Sequence, residues 1–145
     1  MKTLLLFIAS LTIGTASLFA DEEKAGPQGG RLLDSSAGFL AEFVVTPEHF
    51  AKVNLYGEQM KPIAPTEQSV MLTAELPGGV QILEFKNIEN GFISTTPLPD
   101  GEPYRVVLRL RNHPDSRPHN FRIDLNLTTC GECQLQEYAC ICEGH

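Results

Sequence analysis

The sequence predicts an all-β protein, an antiparallel two-sheet sandwich followed by a cysteine-rich C-terminal tail. Short segments rich in β-branched and aromatic residues alternate polar and apolar side chains with a period of two. Proline, glycine and asparagine separate these segments, and successive segments begin about ten residues apart, a spacing typical of sandwiches. The chain between residues 31 and 128 shows no helical periodicity.

Eight strands are expected from this pattern. The clearest lies at residues 104–112, where Val106, Leu108 and Leu110 share one face and arginines share the other. Residues 121–127 alternate in the same way, so their Asp and Asn side chains are expected to pair with the arginine row. The predicted strands cover residues 31–34, 39–46, 51–57, 69–75, 80–86, 91–96, 104–112 and 119–127.

Turn-forming residues stand where the chain must reverse direction between these strands. Examples are Pro-Gly-Gly at 77–79, Asn-Gly at 90–91 and Asn-His-Pro-Asp at 112–115. The predicted arrangement is of immunoglobulin-like architecture. The likeness is architectural only, because the chain contains no tryptophan and lacks the Cys and Trp core pattern of antibody domains.

The N-terminal residues have the features of a secretory signal peptide. Lys2 precedes an apolar run at residues 4–13, and the small residues Ala16 and Ala20 suit cleavage before Asp21. We therefore expect an exported bacterial protein, periplasmic or secreted, without stable membrane insertion after cleavage. The predicted regions are a signal peptide (1–20), a flexible leader (21–30), the β-sandwich domain (31–128) and a Cys/His-rich tail (129–145).

Charge and motifs exclude several classes of function. The chain has 11 Lys and Arg against 18 Asp and Glu, and removal of Lys2 with the signal leaves 10 against 18, a balance of −8. Without a dense basic patch, nucleic acid is not an expected partner. The sequence has no G-x-S-x-G, no H-E-x-x-H and no phosphate-binding glycine loop, so we expect a protein that is not an enzyme.

All four cysteines of the chain lie in the predicted tail, as Cys130-Gly-Glu-Cys133 and Cys140-Ile-Cys142, and His145 ends the sequence. Thiolates are soft ligands that suit zinc and cuprous copper. Gly131 is expected to allow the turn that joins the first pair, and an extended Cys-Ile-Cys places both sulfurs of the second pair on one face. The tail therefore predicts a metal site made by the four cysteines, with His145 assisting.

Two other uses of the thiols are consistent with the sequence. In an oxidising compartment an even number of cysteines also fits two local disulfides, most simply Cys130 with Cys142 and Cys133 with Cys140. A redox pair of thioredoxin type would need a βαβ context that the chain lacks. Glu132 is also expected to raise the pKa of the neighbouring thiols rather than lower it.

One further group of potential metal ligands lies before the last predicted strand. His113, Asp115 and His119 fall within a single loop. Because Pro114 and Pro118 already account for an exposed polar turn at this position, we expect the loop to be structural unless it lies beside the tail.

Three segments near the start of the predicted domain resemble a known group of proteins. They are GPQGGRL at 26–32, AEFVVTP at 41–47 and KPIAP at 61–65. They resemble small periplasmic β-sandwich domains associated with bacterial heavy-metal efflux systems. That family commonly has a histidine where this chain has Gln28, a poor metal ligand. The resemblance implies a periplasmic, non-enzymatic accessory domain and does not extend to the cysteine tail.

Two functions are therefore expected from the sequence. The first is an exported protein that binds a soft transition metal, zinc or copper, through its cysteine tail, with an envelope or efflux-system protein as a further partner. The alternative is an envelope interaction module whose tail is closed by disulfides and binds no metal.

Overall fold

The computed structural model describes residues 25–34 and 39–142. The predicted signal peptide and His145 lie outside these residues. All eight predicted strands are present, and each begins and ends within two residues of its predicted position. The strands are β1 (Arg31–Asp34), β2 (Leu40–Val45), β3 (Ala51–Tyr56), β4 (Ser69–Leu76), β5 (Gly79–Ile88), β6 (Gly91–Ser94), β7 (Tyr104–Arg111) and β8 (His119–Leu125).

The all-β prediction is confirmed, but the two-sheet sandwich is not. The strands form one antiparallel sheet in the order β1-β2-β3-β6-β5-β4-β7-β8, which is nearly closed into a barrel. The reason is the length of β5: it pairs with β4 as far as Glu84 and with β6 from Phe85 onward. A single strand thus belongs to both halves of the sheet, which therefore remain joined.

The barrel interior holds the apolar faces that the alternation predicts. Val106, Leu108 and Leu110 of β7 are completely inaccessible to solvent, as are Ile123 and Leu125 of β8. Burial of such faces is the main favourable contribution to folding. The inward face of these two strands is therefore as predicted from the sequence.

Polar side chains pair across the outer face of β7 and β8. The Arg105 guanidinium lies 3.1 Å from the Asp124 carboxylate, and Arg109 donates to the Asn120 side chain over 3.3 Å. These contacts confirm the expected pairing of the arginine row. Each contributes little, because exposed ion pairs are worth about 0–1 kcal/mol.

The two edge strands, β1 and β8, face a seam in the barrel, and the chain after β8 covers it. The Glu137 N–H donates to the Thr128 carbonyl over 2.9 Å, and the Tyr138 N–H donates to the Asn126 carbonyl over 3.2 Å. Ala139 belongs to the same core as the strands and lines a cleft together with Phe121 of β8 and residues of β1. The tail is therefore part of the barrel wall.

Glu42 on β2 is a buried carboxylate that fixes the chain ahead of β1. Its Oε1 accepts hydrogen bonds from the N–H groups of Gln28 (2.8 Å) and Gly30 (3.0 Å), and its Oε2 accepts from the Tyr56 hydroxyl (2.7 Å). Burial, followed by the contact with Glu42, raises the pKa of Tyr56. The second half of the predicted leader, residues 25–30, is thus a turn attached to the sheet.

Within residues 25–34 and 39–142, no helix has both the length and the apolar character needed to cross a bilayer. Helical structure in these residues is confined to two short 3-10 turns, Glu58–Met60 and Glu137–Ala139.

Replacing Glu42 by alanine is expected to destabilise the protein by about 3 kcal/mol or more, because several buried donors lose their acceptor together. Urea unfolding of the Glu42→Ala variant measures this loss. Glu75→Ala, a change on the exposed face of β4, is the matched control and should stay within about 0.5 kcal/mol of the wild type. Equal stabilities of the two variants would contradict a structural role for Glu42.

Candidate metal centre

The cysteines lie in the segment that covers the seam. Cys130 and Cys140 are buried, whereas Cys133 and Cys142 are partly exposed. A turn closes the first pair: the Cys130 N–H donates to the Leu135 carbonyl over 2.7 Å, and the Gln134 N–H donates to the Cys130 carbonyl over 3.1 Å. The left-handed residue of this turn is Gln134, with φ 63°. Gly131, which is expected to allow the turn, lies within it.

The four sulfur atoms converge on one point. All lie within 4.8 Å of one another. The Sγ atoms of Cys130 and Cys142 are 3.8 Å apart, and those of Cys133 and Cys140 are 3.5 Å apart. A tetrahedral ion with metal–sulfur bonds of about 2.3 Å requires sulfurs about 3.8 Å apart, so the cluster has the dimensions of a four-thiolate site.

The same distances bear on the disulfide alternative. A disulfide requires an S–S separation of about 2.05 Å. Both of the expected pairs, Cys130 with Cys142 and Cys133 with Cys140, exceed it by more than an ångström. All four cysteines are free thiols, and the alternative of a tail closed by disulfides is not supported.

Backbone N–H groups stabilise the thiolates of the first pair. The nearby backbone N–H groups of Cys133 and then Glu132 hold the pKa of the Cys130 thiol below its ordinary value. The Leu135 N–H is the largest influence on Cys133, whose pKa falls from 9.0 to about 7. The expectation that Glu132 would raise the pKa of these two thiols is therefore wrong: Glu132 acts on Cys130 through its backbone N–H, which lowers the pKa, and its side chain raises the pKa of Cys142 instead.

The pKa of both thiols of the second pair is raised. The Cys142 N–H, 3.4 Å from Cys140 Sγ, acts to lower the pKa of Cys140, but burial and the Cys130 and Cys133 thiols outweigh it and raise that pKa. The pKa of Cys142 is also raised, first by its hydrogen bond with Cys140 and then by burial. The cluster thus combines two thiols whose pKa is lowered with two whose pKa is raised.

Tyr138 attaches the cysteine segment to the barrel. Its ring packs edge-on against Phe43 with centroids 5.6 Å apart, and its hydroxyl oxygen accepts a hydrogen bond from the Val45 N–H over 3.0 Å. Burial raises the pKa of the Tyr138 hydroxyl. Sequence reasoning missed this residue; the signal that could have found it is the single aromatic side chain between the two cysteine pairs.

The residues of the other predicted ligand group, in the loop at 113–119, are not brought to the cluster. His145 lies outside the described residues. His113 instead lies 3.4 Å from Glu67 and 3.8 Å from Asp115, all on the surface, while His119 begins β8. Among residues 25–34 and 39–142, one group of three or more His, Cys, Asp or Glu side chains is positioned to hold a metal ion, and it is the four cysteines.

Comparison of the chain with models of protein families, with characterised proteins and with solved structures gives no match. The resemblance to domains of heavy-metal efflux systems therefore stays a prediction, and the site is defined by its geometry alone.

Replacing Tyr138 by phenylalanine is expected to destabilise the protein by about 1–3 kcal/mol, because the buried Val45 N–H loses its acceptor. Urea unfolding of metal-free, reduced protein measures the effect. The matched control is Tyr104→Phe. Tyr104 is a buried tyrosine of β7 whose hydroxyl donates to the Pro99 carbonyl over 2.7 Å, outside the cysteine segment. If alkylation of the cysteines is faster in Tyr138→Phe than in Tyr104→Phe, the tyrosine positions the tail; equal rates would contradict this.

Proposed function

We propose that this protein is an exported, non-enzymatic β-barrel protein that binds one soft transition metal ion through Cys130, Cys133, Cys140 and Cys142. The convergence of four free sulfurs within 4.8 Å carries the proposal. Grouping four thiols so closely has no benefit for packing alone, whereas one tetrahedral ion would satisfy all of them.

The donor set favours zinc over cuprous copper. Four thiolates around a divalent ion leave a site charge of −2, and around a monovalent ion −3. Residues 126–142 contain neither Lys nor Arg, so any positive charge that offsets the difference must come from the barrel, where Arg31 and Arg122 line clefts together with Cys140. Tetrahedral sites of four sulfurs are typical of zinc and of iron–sulfur centres, which supports zinc as the first choice and copper as the second.

The cellular role that we propose is metal homeostasis in the bacterial envelope, as a scavenger, carrier or accessory of an efflux system. The signal peptide at residues 1–20 supports export, and the resemblance of residues 26–65 to efflux-associated domains supports the accessory role. Under this proposal the partners are the metal ion and an envelope or efflux-system protein.

Titration of the reduced protein with zinc is expected to saturate at one ion per chain and to protect all four thiols from a thiol reagent. Cys140→Ser should lose most of this affinity, since it removes a buried ligand. His113→Ala, a surface histidine away from the cluster, is the control and should bind as the wild type does. Native protein that has lost four hydrogens and carries no metal would overturn the proposal.

Zinc affinity is expected to fall as the pH falls, because metal binds thiolates and protons compete for them. Because the pKa of both thiols of the first cysteine pair is lowered, binding at pH 7.5 should release fewer protons than the nearly four that ordinary thiols with pKa about 8.5 would release. The dissociation constant should rise roughly 100-fold or more per pH unit lost. Calorimetry in buffers of different ionisation enthalpy counts the protons, and a pH-independent affinity would contradict four-thiolate binding.

A further inference from the structure

The first half of strand β5 has a strand neighbour on one side only. Residues 79–84 pair with β4, whereas pairing with β6 on the other side begins at Phe85. Among residues 25–34 and 39–142, no segment pairs with residues 79–83 on the side away from β4. We call residues 79–83 the β5 edge.

The backbone groups at the β5 edge belong to Val80 and Ile82. The Thr95 N–H donates to the Glu84 carbonyl over 2.8 Å, so the backbone groups of Glu84 point away from β4. In an antiparallel strand the N–H and C=O of one residue point to the same side, and every second residue repeats that direction. Val80 and Ile82 therefore direct two donors and two acceptors toward the unpaired side.

The side chains of the same two residues make the β5 edge apolar. Val80 is 70% exposed and Ile82 is 59% exposed. Natural proteins usually protect an open edge with charged residues or proline, because such an edge pairs readily with another strand. Residues 79–83 contain neither. A Cβ added at Gly78 or Gly79 would meet no atom within 4 Å, so the approach to the edge is open.

We propose that the β5 edge is a dimer interface, at which it pairs antiparallel with the β5 edge of a second copy of this chain. A two-fold axis at Gln81 sets Val80 of each copy opposite Ile82 of the other. This register uses all the free backbone groups of Val80 and Ile82, and it places β-branched side chains against each other on the outer face. The inference does not depend on the metal site.

Charge favours a second copy at this edge and disfavours it elsewhere. The chain has a net charge of −7, so two copies repel each other over most of their surfaces. Residues 76–83 carry no charge, and in the two-fold register Glu84 lies opposite Gly78 of the second copy. No like charges therefore face each other. Because the same edge is used on both copies, the contact closes at two chains and does not extend into fibres.

Sedimentation equilibrium of the full chain, with a reductant so that the cysteines cannot link copies, measures the dimer directly. Ile82→Lys is expected to raise the dissociation constant of the dimer by roughly 100-fold or more, because a charge at the edge must be desolvated on pairing. Met71→Lys is the matched control: Met71 is 40% exposed on the outer face of β4, away from the edge. This variant should dimerise as the wild type does. A wild type that stays monomeric up to the millimolar range, or a dimer unaffected by Ile82→Lys, would overturn the inference.

Amide hydrogen exchange of the wild type tests the interface without any variant that has to fold. The N–H groups of Val80 and Ile82 should exchange about 10-fold or more slowly at dimer-forming concentrations than in dilute protein. The N–H groups of Gln81 and Leu83 point toward β4, so their exchange should not respond to concentration in this way. If the protein dimerises while Val80 and Ile82 show no such slowing, the interface lies elsewhere and the inference fails.

Discussion

The insertion of Tyr138 into the barrel is the contact on which the rest of the molecule depends. One side chain completes the apolar core against Phe43 and gives a buried N–H of β2 its acceptor. The same residue stands between the two cysteine pairs, so its position fixes where both pairs lie relative to the sheet. Closure of the barrel and assembly of the sulfur cluster are therefore one structural event.

Local patterns in the sequence predict the strands well, because each strand is defined by side-chain alternation and by the turns beside it. The order in which the strands pair depends on contacts between distant parts of the chain, so local patterns do not predict it. Whether eight strands form two sheets or one depends on β5, whose ten residues are long enough to pair on both sides of a bend. Nothing in the alternation of Gly79–Ile88 distinguishes a strand of one sheet from a strand shared by two.

The candidate site, too, is predicted only in part from the sequence. Cysteine spacing predicts that the four sulfurs come together, since the six residues between the two pairs are long enough to fold the second pair over the first. It does not predict that backbone N–H groups lower the pKa of Cys130 and Cys133. The burial of the Glu42 carboxylate is not predicted either, because a glutamate between alanine and phenylalanine in a strand is expected to lie on the exposed polar face.

The hydrogen bond between Val45 and Tyr138 joins residues 93 positions apart. Contacts between neighbouring strands can form as soon as each hairpin is complete, whereas a contact across so long a loop forms late, because its ordering entropy must be met first. The barrel surface on which the cysteine segment packs therefore forms only once nearly the whole chain has folded. A newly made chain would carry its thiols unshielded until that last step, so the order of folding itself decides when the four sulfurs come together.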